Sequence, residues 1–346
     1  MTALPLPPVP TRVVAAPMAG GPSTVALAAA VGEAGGLGFL AAGYRTADAV
    51  AEEVGRLRAT STAPFGVNVF TPVPAGSASE VRAYAELVAP RAAALGVELG
   101  KPVHSDDDHA AKVAVLAGLR PAVVSFAFGL PPAESVERLH AAGVPVWLTV
   151  TSPEDAAAAA AAGADALVVQ GWEAGGHRGG LSDPEPAQLG LLPLLALVRR
   201  VTDLPLVAAG GIGDGRGVAA VLAAGAALAQ LGTAFLRTPE AGTAPVHAAA
   251  LAEERPTTVT RAFTGRSARA LVNRATTELS GAAPAAYPEV HFLTQPLRAA
   301  ARAAGDGEEL HMWAGQAHVL AEAVPAGELV RRLAADAREA MAAARF

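Results

Sequence analysis

Short runs of valine, leucine and alanine recur along the chain, separated by stretches long enough for a helix. Eight such runs occupy residues 13–18, 38–43, 64–70, 122–129, 144–150, 166–171, 204–211 and 228–235. They lack alternation of apolar and polar positions, the pattern of strands covered on both faces in a parallel sheet. The segments between them carry helix signals. Ser23 or Thr24 can cap a helix that ends near Gly35, and Thr46 can cap the next. Ser152, followed by Pro153 at the first helical position, opens an alanine-rich helix that stops at Gly163, and Asp214 opens one that stops at Gly225. Three units share a cadence in which an Ala-Gly pair (142–143, 162–163, 224–225) closes a helix and a strand follows within about five residues. Repeated strand and helix units predict a (β/α)8 barrel over residues 1–240. Residues 257–316 are richer in Arg, Pro, Gly and His, and within 241–317 the pattern predicts a mostly helical lid. A closing surface helix is expected in 318–346.

Composition narrows the chemistry. The 346 residues contain no cysteine, which removes disulfides, thiolate metal sites and thiol nucleophiles, so redox work requires a borrowed cofactor. A net charge of −6 with scattered basic residues gives no stripe for nucleic acid. Hydrophobic residues reach 52%, yet no uninterrupted apolar stretch is long enough to span a bilayer. The opening MTALPLPPVPTR lacks the marks of an export signal, so a cytoplasmic location is expected.

In such barrels the reactive groups lie at the C-terminal ends of the strands and in the loops after them. There the seventh run ends in Ala209-Gly210-Gly211-Ile212-Gly213 and the eighth holds Gln230-Leu231-Gly232-Thr233. Glycines let backbone N–H groups approach a phosphate, and two clusters on adjacent strands favour that reading over a pair of tight turns. Asn68 and Gln170 lie inside apolar runs, where an unsatisfied amide costs about 1–3 kcal/mol. A polar ligand in the barrel mouth or bonding to a loop backbone would satisfy them, and the occurrence of two favours the ligand. His177 stands in the loop Gly175-Gly176-His177-Arg178-Gly179-Gly180 with no apolar sequence neighbours, and an imidazole of ordinary pKa takes a proton near neutral pH. The other histidines, at 104, 109, 140, 247, 291, 311 and 318, form no pair at metal-ligand spacing beside a carboxylate, and Asp106 to Asp108 is read as a solvated loop. No metal is expected. Residues 210–215 match a dinucleotide fingerprint only loosely, which disfavours a Rossmann domain.

With these residues placed, the chain resembles the nitronate monooxygenase family, also called 2-nitropropane dioxygenases. The resemblance rests on AAPMAGGPST (15–24), FGVNVF (65–70), VVSFAFGLP (123–131), QGWEAGGHRGG (170–180), VAAGGIGDGRGVAAVLAAGA (207–226), QLGTAFL (230–236), TRAFTGRSAR (260–269) and WAGQ (313–316). It implies a non-covalently bound FMN, lined by Met18 and Gly20, with Asn68 and Gln170 bonding to its ring or ribityl chain. Gly175, Gly211, Gln230, Leu231, Gly232 and Thr233 would surround it, largely at the phosphate. His177 matches the family's catalytic histidine, and Tyr287 and Trp313 would border the substrate. Arg178 would attract an anionic substrate or serve the loop's structure. The implied reaction oxidises alkyl nitronates, such as propionate 3-nitronate, with O2 to a carbonyl compound and nitrite, beginning with one-electron transfer to FMN. With a neutral nitroalkane, His177 would remove the carbon-bound proton. Ala127 departs from the pattern, because relatives often carry a polar or histidine side chain there.

The expected partners are therefore a small nitronate or nitroalkane and O2, with the protein a monomer or homodimer. Two competing readings remain. One is an NAD(P)H-dependent FMN reductase of the same superfamily, acting on enoyl-acyl-carrier protein or quinone. The other is a flavin-free barrel that binds a phosphorylated metabolite, which would purify colourless.

Overall fold

All eight apolar runs form parallel strands in the computed structural model, which describes residues 4–183 and 188–344. In chain order the barrel strands are β1 (Val13–Ala15), β2 (Gly38–Ala41), β3 (Phe65–Phe70), β4 (Val123–Ala127), β5 (Val146–Val150) and β6 (Ala166–Gln170). A two-residue strand outside the barrel, β7 (Gly176–His177), precedes β8 (Leu206–Ala209) and β9 (Leu228–Leu231). The sheet runs β1-β9-β8-β6-β5-β4-β3-β2, and a parallel bridge between Val14 and Leu37 joins its two ends. The protein is a (β/α)8 barrel with additional helices.

Strand periodicity sorts the side chains. Val13 and Val67 pack outward against the helices, whereas Val14, Phe39, Trp147 and Val207 form a separate cluster that plugs the barrel. Gly66 belongs to that plug, since a Cβ there would stand 2.3 Å from the Phe39 ring. Two residues further along β3 stands Asn68, and one step of two beyond Val168 on β6 stands Gln170. The apolar floor thus gives way to amides at the mouth.

The helix caps follow the sequence signals. Thr24, Thr46, Ser152 and Asp214 each accept a hydrogen bond from the backbone N–H three residues on. Ser23 does something else: its hydroxyl accepts from Met18 N at 2.8 Å and pins the loop after β1.

The lid, expected as mostly helical, also contains strands. Besides helices Arg274–Leu279 and Glu289–Ala304 it contains an antiparallel pair, β10 (Thr257–Thr260) and β11 (Ala268–Leu271), and β11 also pairs with β7. These strands are too short for a periodic signal, and β7 draws its partner from far along the chain.

 Ala268 lies opposite His177 and Arg269 opposite Gly176, separations of 91 and 93 residues along the chain. Helix Ala78–Ala94, between β3 and β4, shares the lid's core: Val81, Tyr84 and Val88 pack with Phe263, Leu293 and Leu297. The lid is therefore built from two stretches of chain. Helix Ala326–Ala343 closes the fold by packing Leu329, Val330, Leu333 and Ala337 into the core around the barrel. No described helix is long and apolar enough to cross a membrane.

Candidate active site

A cavity of about 500 Å³ opens where the C-terminal ends of the strands meet the lid. Met18, Gly20, Asn68, Ala127, Gln170, Gly175, His177, Gly211, Gln230, Leu231, Gly232, Thr233 and Trp313 all line it. Tyr287 and Arg178 do not.

One wall is backbone. Gly210 and Gly211 have φ of 108° and 69°, a left-handed turn that glycine adopts without a Cβ penalty. The N–H groups of Gly211, Ile212, Gly232 and Thr233 find no acceptor among the described residues, and all four residues line the cavity. Asp214 already occupies the N-terminus of helix Gly215–Ala223 by capping Gly217 N at 2.8 Å. The free donors are therefore those of the two turns. Thr233 Oγ1 accepts from Gly315 N at 3.0 Å, tying the lid to the second turn.

The amides divide. Gln230 is 8% exposed and its side chain has no hydrogen-bond partner among the described residues. Asn68 Nδ2 donates to Ser125 Oγ at 2.9 Å, and its Oδ1 has no partner there. Gln170 is committed to the loop: its Oε1 accepts from Gly179 N at 2.8 Å and its Nε2 donates to the His177 carbonyl at 3.0 Å. For Gln170, bonding to the loop backbone is what the fold uses, and it fixes the loop that carries His177.

His177 differs from the sequence expectation in two respects. Its chain neighbours are polar or glycine, but its spatial neighbours are aromatic: Trp313 at 5.2 Å, Phe128 at 5.6 Å and Tyr287 at 5.9 Å between ring centroids. Burial, reinforced by the positive charges of Arg266 and Arg298 and opposed by Asp183, lowers its pKa to about 3 rather than leaving it near neutrality. The imidazole is neutral at pH 7. Its Nε2 lies 2.9 Å from Thr264 Oγ1, and the Thr264 hydroxyl in turn donates to the Arg266 carbonyl at 3.4 Å. The tautomer consistent with this chain donates from Nε2 and leaves the lone pair on Nδ1.

Arg178 is 1% exposed. Its guanidinium donates to the carbonyls of Gly171 (2.7 Å) and Gln170 (3.1 Å) and lies over Trp172 at 5.1 Å. It braces the loop from beneath. Tyr287 forms the wall behind His177, and its hydroxyl donates to Tyr44 at 3.1 Å.

The profile of the nitronate monooxygenase family matches residues 9–336. The chain belongs to the nitronate monooxygenase family. It is 40% identical over 353 residues to a nitronate monooxygenase of Paraburkholderia phytofirmans, covering 98% of this chain and 95% of that one. With a nitronate monooxygenase of Pseudomonas aeruginosa it shares 41% over 343 residues, covering 94% and 96%. The solved structure of a nitroalkane oxidase from Streptomyces ansochromogenes is 52% identical and superposes with a TM-score of 0.94, covering 99% and 98%.

In this nitronate monooxygenase family member the lid adds groups that sequence reasoning missed. His291, Gln295, Arg298 and Arg302, on helix Glu289–Ala304, line the cavity with Tyr44, His247 and His311. Their spacing of four, three and four residues puts them on one face, the signal that was available. Arg298 is 6% exposed and fixed by Thr294 Oγ1 (3.0 Å) and the His291 carbonyl (2.8 Å). Burial pulls it down to about 10, so it stays charged, and no carboxylate pairs with it among the described residues. Burial likewise lowers His247 to about 4 and holds His291 and His311 well below the ordinary imidazole range. The cavity walls carry two arginines and no Asp or Glu among the described residues. Such a cavity attracts an anion.

Proposed function

We propose that the protein is an FMN-dependent nitronate monooxygenase that oxidises an alkyl nitronate with O2 to a carbonyl compound and nitrite. The observation that carries this reading is one cavity lined both by unpaired backbone donors and by a buried arginine with no carboxylate partner among the described residues, together with a neutral histidine.

The donor set suits FMN. The N–H groups of Gly211, Ile212, Gly232 and Thr233 match a terminal phosphate, and the free amide of Gln230 and Oδ1 of Asn68 match the polar edge of the ring or the ribityl hydroxyls. Met18 and Gly20 would flank the flavin, and Leu231 and Gly175 would fill in around it. When bound, FMN supplies the electron acceptor for the nitronate and the route to O2. The chain's own part is to bind and orient. Arg298 attracts the nitronate, while His177, uncharged, leaves the anion in the form that gives up an electron. With a neutral nitroalkane, Nδ1 of His177 takes the carbon-bound proton, and the imidazolium then lies against the new nitronate, whose charge offsets the cost of protonating a buried ring. The nitroalkane oxidase relative supports this second use.

The test is oxygen consumption and nitrite release by the purified yellow protein across a panel of nitronates and their parent nitroalkanes. Nitrite from at least one nitronate is expected without any nicotinamide. A colourless protein that takes up no FMN would instead support a phosphorylated-metabolite-binding barrel.

A further inference from the structure

Just beyond β2 the chain reverses at Tyr44, whose φ of 65° lies in the left-handed region. That conformation disfavours any residue with a Cβ, and tyrosine has no side-chain oxygen near enough to its own backbone to relieve it. Outliers of this kind are retained where the surroundings enforce them. Here the Tyr44 N–H donates to Asp107 Oδ1 at 3.0 Å, and the other carboxylate oxygen of Asp107 pairs at 2.7 Å with Lys112, which is fully buried. A buried ion pair thus holds the strained turn.

The side chain is fixed as firmly. The Tyr44 ring stacks on His291 with centroids 3.9 Å apart and planes 3° from parallel, and Phe70 meets its edge at 5.5 Å. A phenylalanine would make both contacts, so they do not account for the hydroxyl. That hydroxyl accepts from Tyr287, and its own proton has no acceptor among the described residues. Tyr44 lines the cavity. So does Arg298, whose Nη2 lies 3.3 Å from Nδ1 of the same His291 on which Tyr44 stacks.

We infer that the Tyr44 hydroxyl and the Arg298 guanidinium form a two-donor oxyanion site that holds the nitro oxygens of the substrate, leaving its carbon for His177. The ligand class is a planar anion with two oxygens on one nitrogen. Tyr44 is a binding and positioning residue in this scheme, and the inference rests on the nitronate reading above.

The chain has only three tyrosines, Tyr44, Tyr84 and Tyr287, which makes the site accessible to fluorine NMR. Holoprotein carrying 3-fluorotyrosine is titrated with sodium nitrate, a planar oxyanion that cannot be oxidised further. The Tyr44 resonance is expected to shift and to saturate together with the change in flavin absorbance. Tyr84, whose hydroxyl donates to the Ala262 carbonyl inside the lid core, should stay put. Tyr44→Phe assigns the resonance and should weaken nitrate binding and raise the KM for a nitronate by about tenfold each, with flavin content retained. If that variant fails to fold, Tyr84→Phe and Tyr287→Phe assign the remaining signal and the titration still decides. A Tyr44 resonance that stays fixed while flavin absorbance responds, nitrate that moves neither signal, or undiminished binding by Tyr44→Phe overturns the site. Binding of nitrate through Tyr44 by a protein that oxidises no nitronate would keep the site and reject the reading beneath it.

Discussion

Gln230 is 8% exposed, and its amide, which has no partner among the described residues, faces the cavity, where a ligand rather than the fold can satisfy it. Replacing it with the similarly shaped methionine should leave the melting temperature of the flavin-free protein unchanged or higher, yet weaken FMN binding about tenfold by equilibrium titration. A purely structural glutamine would show the opposite signs. His177→Asn should retain FMN and lose nitrite release from neutral nitroalkanes by roughly 10²-fold or more, with much less effect on preformed nitronates. Equal loss on both substrates would make His177 a positioning group only. His177 was legible in the sequence because glycines isolate it, as were Asn68, Gln230 and the two glycine turns. Its lowered pKa was not, because the burial that chiefly causes it, and the charges of Arg266 and Arg298 that add to it, come from chain distant in sequence. For Arg178 the sequence left substrate attraction and loop structure open, because no local pattern shows that it packs over Trp172 and bonds to two carbonyls.

At the level of elements, parallel strands covered on both faces announce themselves as apolar runs, and all eight barrel strands were legible on that ground. The strands β7, β10 and β11 were not, since Gly-His, Thr-Thr-Val-Thr and Ala-Arg-Ala-Leu carry no pattern without their partners. The mostly helical character of the lid was expected, but nothing in the sequence showed that Arg298 and Arg302 would stand at the cavity. The junction of the two parts is tight at Gly175, where a Cβ would stand 2.4 Å from Gly315 N and 2.5 Å from the Ala314 carbonyl carbon. Backbone cannot yield as a side-chain tip can. Gly175→Ala should therefore destabilise the protein by about 2 kcal/mol or more and displace the His177 loop, read as a lower melting temperature together with a lower kcat. Wild-type stability in that variant would show that the loop and lid are not locked together.

The whole molecule buries four imidazoles around one cavity, and this sets its response to acid. His177, His247, His291 and His311 all have pKa values lowered by burial, to about 3 and about 4 for the first two. Below about pH 6.5 the unfolded chain binds protons there that the native state refuses, so stability rises with pH through this window. The contribution is complete above about 6.5 and is lost as pH falls toward the native values. Glu53 and Asp107, raised by burial, act in the opposite sense, but each has a cationic partner and they are two against four. Calorimetry should show the melting temperature falling steadily from pH 7 to pH 5, and a flat profile would mean that the histidines are hydrated.

The central claim, that this cavity oxidises an anion bound beside a flavin without help from a nicotinamide, is tested most directly by anaerobic mixing of the purified holoprotein. A nitronate should bleach the yellow absorbance while NADH and NADPH leave it unchanged over the same time. Rapid bleaching by either nicotinamide, with no response to any nitronate, would contradict the account and assign the barrel to a reductase.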